Sequence, residues 1–533
     1  MAEATVMAEA AAEGGGAAAI AAAAATSPAP LIEAVPQVLL PPLALQPDWH
    51  LSLLAAAAAG RRAGGGGGGA AAAAAATTPS TAGAGSRFEA SQFWVFDPAA
   101  GTEWVASAGS GSPPTIAIPD GDCRWTLTAV DTSDGGGEAL MSTAVCCTAP
   151  ATPPLLVVAP AAVRRGTAGD GSVLPGGSAA RRVGMPVTCV ALDAAGARVA
   201  IGAADGSVRI HSTSGSGGGG GGEAAAVVVD CEAHVADVNV LHWFPSNAVV
   251  LSGASDMTLS VLDAATGGAG AVLVGHSAGV TGAAIIERGR SLVSCSRDGM
   301  LHLWGLPSAA VVARMRLPSP PAAIVVAQMA GPAAAAAAAA APAPGEVGTS
   351  DKVVLAACED GVVRGWHLGS KSATATVAPL ALPAGSSSGS GRIQARAMAT
   401  AGGVVAVGGS GGALAVFRVP PSPTDTPVVL WRGSLCDAHA DVMALDAVAD
   451  GDAVLLAVGL ATGVVAALHL SLPPGGVPTC RLAALFTGLD CEAARSVSLR
   501  LSHGVAALAV GGQDGYARIY RLPAATLLTP PSS

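Results

Sequence analysis

The sequence predicts an all-β chain, a seven-bladed β-propeller preceded by a small N-terminal domain and broken by low-complexity insertions. Two observations carry this expectation. The stretch Gly289 to Gly305, GRSLVSCSRDGMLHLWG, reads as an apolar strand, small residues, a tight Asp-Gly turn and an alternating strand that ends on Trp304. The same turn then recurs at Asp205-Gly206, Asp256-Met257, Asp298-Gly299, Asp360-Gly361, Gly411-Gly412, Thr462-Gly463 and Asp514-Gly515, roughly 50 residues apart. One such unit cannot cover both its faces, so repeats must stack around an axis to make a continuous core.

Taken in order, residues 1–30 are an Ala- and Gly-rich tail without periodicity. Residues 31–150 read as an N-terminal domain with Trp49, Phe93-Trp94-Val95-Phe96 and Trp104 as core anchors, interrupted at about 55–86 by a tract that includes Gly64 to Gly69 and Ala70 to Ala76. The propeller is expected over 151–525 and a short tail over 526–533. Within it, Gly217 to Gly222 and Ala333 to Ala341 read as loop insertions. The last repeat stops after its third strand at Ile519 to Leu522. A strand from the segment Leu155 to Val163 is therefore expected to complete that blade and fasten the ring, removing exposed sheet edges.

Composition narrows the function. Positive hydropathy comes from alanine and valine, with no window of the roughly 18 to 20 strongly apolar residues that a membrane span needs. The first 30 residues carry Glu3, Glu9 and Glu13 and no arginine, unlike a secretory or transit leader, so cytoplasm and nucleus are expected. The ten cysteines form no CxxC pair, and Cys189, Cys295 and Cys358 fall on strands, so neither disulfides nor zinc are implied. A formal charge of −10 disfavours nucleic acid and suits a basic protein partner. No cofactor is expected.

Blades of the WD40 type are commonly braced by a His before the first strand, a Ser or Thr in the second, the turn Asp and a Trp ending the third. Gly275-His276, Ser294 or Ser296, Asp298 and Trp304 match that pattern. The preceding repeat keeps His234, Ser252 and Asp256 but has Leu262 in place of Trp. Further along, Asp360 with Trp366, His439, and Asp514 with Tyr520 are partial sets, and VVAVGGSGGALAVF keeps only alternation. A buried imidazole and carboxylate are costly unless they satisfy each other, so these residues read as structural braces. Their repeat-equivalent spacing argues against a catalytic triad, there is no metal-binding motif, and the Gly408 to Gly412 turn lacks the Lys of a phosphate-binding loop.

From His234 to Trp304 the sequence closely resembles the proteasomal ATPase-associated factor family. The resemblance lies in Val238-Asn239, Trp243-Phe244-Pro245, Val249-Val250-Leu251-Ser252-Gly253, Arg288-Gly289-Arg290 and Ser296-Arg297-Asp298-Gly299. It extends to Gln46-Pro47-Asp48-Trp49 near one end and Thr487-Gly488-Leu489-Asp490-Cys491 near the other. The resemblance implies a noncatalytic protein, a monomer when free, that binds the C-terminal domain of a proteasomal ATPase subunit and chaperones assembly of the 19S regulatory particle base. By geometry, the loop before each first strand and the turn between second and third strands share one face. Asp237, Ser255, Arg297, Glu359, Asp441 and Gln513 are thus the candidate partner contacts, the acidic ones suiting a basic surface. The competing reading is a generic WD40 scaffold, such as a substrate receptor of a cullin-type ubiquitin ligase, although Trp304-Gly305-Leu306-Pro307 and Trp366-His367-Leu368-Gly369 lack the Arg of such receptors. A propeller enzyme would need polar groups converging on the channel, where Ala, Val, Cys and Gly are expected.

Overall fold

Period-two alternation turns each repeat into an antiparallel meander whose first strand faces the ring axis and whose last faces outward. The computed structural model describes residues 44–45, 49, 92–97, 102–108, 116–117, 126–130, 141–148, 154–165, 185–213, 227–329, 348–374, 376–377, 380, 393–420, 422, 425–435, 440–473, 476–489 and 492–529. Outside them fall the 1–30 tail, the 55–86 and 333–341 insertions, the 217–222 glycines, Gln46, Pro47, Asp48, His439, Asp490 and Cys491.

Five blades follow one another along the chain. Blade 1 is Val187–Leu192, Arg198–Ala203, Ser207–Ser212 and Val227–Glu232. Blade 2 is Val238–Trp243, Val249–Ala254, Thr258–Asp263 and Ala269–Val274. Blade 3 is Val280–Ile286, Ser291–Ser296, Met300–Gly305 and Ala310–Arg316. Blade 4 runs through Pro321–Gln328, Lys352–Cys358, Val363–His367 and Ser372–Ala373, and blade 5 through Ala395–Ala401, Val404–Gly409, Ala413–Arg418 and Val428–Ser434. A closing blade joins Ala494–Ser502, Val505–Gly512 and Tyr516–Pro523 to Ala162–Arg165.

The expectation of a seven-bladed propeller is therefore corrected to six blades. The repeat from Val442 to Phe486 does not stand as a separate four-stranded blade. Its strands Val442–Asp450, Ala453–Leu460, Val465–Ser471 and Thr479–Phe486 continue into Leu155–Val158, Ala144–Thr148 and Thr126–Val130 as one seven-stranded sheet. This sheet sits between blade 5 and the closing blade, its first strand packed on Ala395–Ala401 and on Ala494–Ser502. Leu155–Val158 pairs parallel with Thr479–Phe486, through Leu156 with Ala484 and Val158 with Phe486. The physical cause is the run Leu-Leu-Val-Val, buried at all four positions, which needs cover on both faces and so adds to a sheet interior.

The expected closing strand is split by the same fact. Leu155–Val158 goes to the large sheet, while Ala162–Arg165 supplies the missing strand, pairing antiparallel with the closing blade through Ala162 with Ile519 and Arg165 with Tyr516. At the end of the chain, Ala524–Leu528 is a short helix across residue 526, with Leu527 buried and Arg481 donating to the carbonyls of Leu527 and Leu528. A separate antiparallel sheet contains Ala44–Leu45, Gln92–Asp97, Thr102–Ala108 and Ile116–Ala117. The side chains of Phe93, Trp94 and Trp104 lie outside the described part. Trp49 is fully buried, packed with Ala106, Leu127, Val145, Leu155 and Val157.

Candidate functional site: the turn rim

One hydrogen bond repeats around the ring and defines a face. The first N–H of the turn between second and third strands donates to the carbonyl just before the first strand: Ala204 to Pro186, Ser255 to Asp237, Arg297 to Gly279, Glu359 to Pro320, Ser410 to Gln394 and Ala461 to Asp441, at 2.9–3.1 Å. Entry loops and turns thus form one rim, and the predicted contacts Asp237, Ser255, Arg297, Glu359 and Asp441 sit on these pairs. Asp237, Ser255, Arg297, Glu359 and Gln513 are exposed. Asp441 is half-buried and occupied: it accepts from the Gly411 N–H at 2.9 Å and pairs with Arg396 at 2.9 Å. It braces the blade 5 turn, which has no Asp of its own.

Beneath the rim, the brace residues come together in blade 3. His276 Nδ1 is 3.1 Å from Asp298 Oδ2, His276 Nε2 is 2.7 Å from Ser294 Oγ, and the Trp304 indole N–H donates to Ser294 Oγ at 2.8 Å. Ser294, rather than Ser296, is the hydroxyl in the set; Ser296 donates to the Ala278 carbonyl. Directionality follows from the Asp298 carboxylate, which can only accept. It takes the His276 Nδ1–H, so Nε2 of the neutral ring accepts from the Ser294 hydroxyl, which in turn accepts from the indole. Burial pushes the Asp298 carboxyl up, but the N–H groups of Ser277 and Met300 and the His276 ring outweigh it and hold it below its ordinary range. For His276, burial depresses the imidazole and Asp298 offsets only part of that.

Blade 2 keeps the lower half of this arrangement. His234 lies 3.0 Å from Asp256 and 2.9 Å from Ser252 Oγ. Leu262 takes the indole's place, and the Ser252 hydroxyl is also 3.3 Å from the Ser260 carbonyl. Blade 4 and the closing blade carry a different device: Arg364 pairs with Asp360 at 2.6 Å, and Arg518 with Asp514 at 2.5 Å. Blade 1 has the same Asp-Gly-x-x-Arg string, but its Arg209 pairs across the strands with Asp230 at 2.8 Å. An Arg four beyond the turn Asp therefore permits the Asp-Arg brace, and in blade 1 the carboxylate across the strands takes that Arg instead. Sequence reading overlooked this, although the repeated string was its signal.

Two further groups escaped sequence reading. Polar side chains near the axis staple neighbouring blades: Asn239 donates to the Val280 carbonyl at 2.9 Å, Thr281 to the Pro321 carbonyl at 2.8 Å, and Thr188 to the Val238 carbonyl. Where the ring closes, Ser496 and Ser498 accept from the N–H groups of Val190 and Leu192, each at 3.0 Å. They satisfy donors that an innermost strand would otherwise leave unpaired. On the large sheet, the Trp49 indole donates to Thr487 Oγ1 at 3.1 Å, the Thr487 N–H donates to the Val158 carbonyl, and the Tyr520 hydroxyl donates to the Thr487 carbonyl at 2.7 Å. Trp49 and Thr487, 438 positions apart, thus meet in one part-buried contact.

Among the described residues no three His, Cys, Asp or Glu side chains gather as a metal set, and the described cysteines are free thiols. No described helix is long and apolar enough to cross a membrane. The rim thus presents exposed entry-loop and turn side chains on a braced scaffold. Two stretches, 182–212 and 269–305, match the WD domain, G-beta repeat. Over 59 residues the chain is 41% identical to the 26S proteasome regulatory subunit RPN14 of Saccharomyces cerevisiae (strain ATCC 204508 / S288c), a match spanning 11% of this chain and 14% of that relative. Solved structures similar to it include U3-55K, at a TM-score of 0.46 and 14% identity, covering 66% of this chain and 91% of the other. The RRP9 WD40 repeats give 0.46 and 13%, covering 66% and 90%. By its sheets and its two matched repeats, the chain is an all-β WD40 propeller.

Proposed function

We propose that this chain is a non-catalytic binding protein that docks, through its turn rim, on the C-terminal domain of a proteasomal ATPase subunit. In doing so it chaperones or regulates assembly of the 19S regulatory particle base, in cytoplasm and nucleus. The observation that carries this reading is the 41% identity over 59 residues to a proteasome regulatory subunit. The resemblance from His234 to Trp304, a region rich in rim positions, supports it. The mechanism is steric: a propeller seated on that domain obstructs premature engagement with the proteolytic core, and correct assembly releases it. Exposed Asp237 and Glu359 steer a basic surface and add specificity more than affinity.

The test is capture by the full chain of the six isolated C-terminal domains of the regulatory-particle ATPases. One domain should be retained, and Asp237→Ala with Glu359→Ala should weaken it and flatten its salt dependence. Asp441→Ala belongs in a separate arm, because it removes the support of the Gly411 turn as well as a charge. Capture of none by a folded chain would leave a scaffold for some other protein, of which a ubiquitin-ligase substrate receptor is one kind.

A further inference from the structure

Blade 2 breaks the rim's pattern at one place. Its turn residue Met257 has φ of 71°, in the left-handed region, where the corresponding turn residues Gly206, Gly299, Gly361, Gly463 and Gly515 are glycines with φ of 75–88°. The methionine is nonetheless 43% exposed, so burial compensates only in part for the unfavourable backbone. Beside it stands Val235, 91% exposed, whose N–H is 3.3 Å from the carboxylate of Asp256, the residue before Met257. Thr258, the residue after, pairs with Val274, itself 71% exposed. In blade 3 the position matching Val235 is Ser277 and the turn residue is Gly299. Three large apolar side chains therefore lie exposed along the rim end of one blade, one of them held there against backbone preference.

The surroundings identify the occupant. Asp205, Glu232 and Asp237 are exposed around Val235, and Arg297 on the next blade is the nearby exposed cation of the rim. A second copy would bring the same carboxylates face to face on a chain of net charge −10, so self-association is opposed. We propose that Val235, Met257 and Val274 are the apolar anchor of the docking surface, and that they enter an apolar socket ringed by basic side chains on a folded partner domain. This rests on the function proposed above and narrows it to blade 2. An apolar centre within a charged rim is the arrangement in which a few side chains carry most of the affinity.

The test uses the full chain and its Met257→Gly, Val235→Ser and Val428→Ser variants, titrated by calorimetry with each of the six purified ATPase C-terminal domains. Met257→Gly and Val235→Ser should each weaken the retained domain at least tenfold. Val428→Ser, an exposed valine on the outer strand of blade 5, should leave it unchanged. Met257→Gly should also melt at the same or a higher temperature, which separates lost contact from lost fold. Binding within twofold of the parent for both rim variants would overturn the anchor while leaving the proposed function standing. Failure of the parent to bind any of the six would overturn both. Dimerisation of the parent that Met257→Gly abolishes would make a second copy the occupant and overturn the assignment.

Discussion

Blades 2 and 3 are neighbours built on the same pattern, and they differ where the indole is. In blade 3, Trp304 is fully buried between the two blades, among Val240, Phe244, Leu251, Leu259 and Val280. Room for it comes from Gly275, where a Cβ would stand 3.0 Å from the ring. In blade 2 the corresponding pair is Ala233 and Leu262, a methyl group beside a smaller side chain. The Gly-His dipeptide is thus a packing statement about the Trp as much as a brace. In both blades the turn carboxylate sets the His tautomer and so the Ser proton; the indole adds a donor to Ser294, whereas Ser252 instead has the Ser260 carbonyl as a second acceptor.

Exchanging the two sites breaks the comparison most severely. Trp304→Leu is expected to cost about 2–4 kcal/mol, since it opens a cavity and leaves Ser294 short of a partner. Leu262→Trp alone should also destabilise, by overpacking against Ala233, and Ala233→Gly should restore part of that loss. Chemical denaturation at pH 7 reads both. A Trp304→Leu loss under about 1 kcal/mol would mean that the lower half of the brace suffices.

Acid should separate the blades next. His302 stacks on His276 with centroids 4.0 Å apart, and burial, then the His276 and Arg314 charges, push its pKa down to about 4. An unfolded His takes up its proton near 6.5. Between these values the unfolded chain binds more protons, so this stability is complete above 6.5 and is lost as pH falls toward 4. The loss is on the order of 1–3 kcal/mol. Blade 2 has Ser260 at the matching position, so His302→Ser should flatten much of the slope. His211, likewise pushed down to about 4 by burial and by Arg164 and Arg209, keeps a remainder. An unchanged slope in His302→Ser would place the acid sensitivity elsewhere.

The Asp-Arg blades extend the contrast at smaller cost. Arg518→Met should lose about 1–2 kcal/mol, because the side chain is 9% exposed and its departure leaves the Asp514 carboxylate without that guanidinium. Arg198→Ala should cost less, about 1 kcal/mol: the arginine is 31% exposed, and although Asp193 is only 4% exposed its carboxylate keeps the N–H groups of Ala197 and Arg198; the stacking of Arg198 on Trp243 is lost as well.

These sites show what was legible in the chain. The strands, the turns and the His-Ser-Asp-Trp set of blade 3 are local patterns, and local periodicity reports them. Blade number was not legible, because Leu155–Val158 can pair with any exposed edge, and the choice of Thr479–Phe486 is made by tertiary packing. The bracing role of Asp441 was not legible for the same reason: its partners Gly411 and Arg396 lie 30 and 45 positions away. Trp49 and Thr487 were noticed separately as motif residues, yet nothing local says that one donates to the other. The Arg four residues after the turn Asp is local and readable, but its partner is not: the same string pairs within the turn in blade 4 and across the strands in blade 1.

The smallest effect isolates the backbone. Met257 and Gly299 occupy the same turn position with φ of 71° and 75°. A Cβ on Gly299 would find only the Leu317 carbonyl, at an ordinary 3.5 Å, whereas one on Gly206 or Gly361 would collide with a carbonyl at 2.2 or 2.3 Å. Gly299→Ala is therefore a conformational test whose Cβ meets no clash, expected to cost about 1 kcal/mol. Met257→Gly is its reciprocal. It relieves the left-handed strain but gives the unfolded chain a freer residue, so its net gain should be smaller, about 0.5 kcal/mol. Opposite signs of unequal size, read from denaturation midpoints at constant slope, would show that blade 2 carries its exposed methionine at a stability cost. Equal and negligible shifts would show that the turn accepts either residue, and that Met257 is displayed on the rim at no expense.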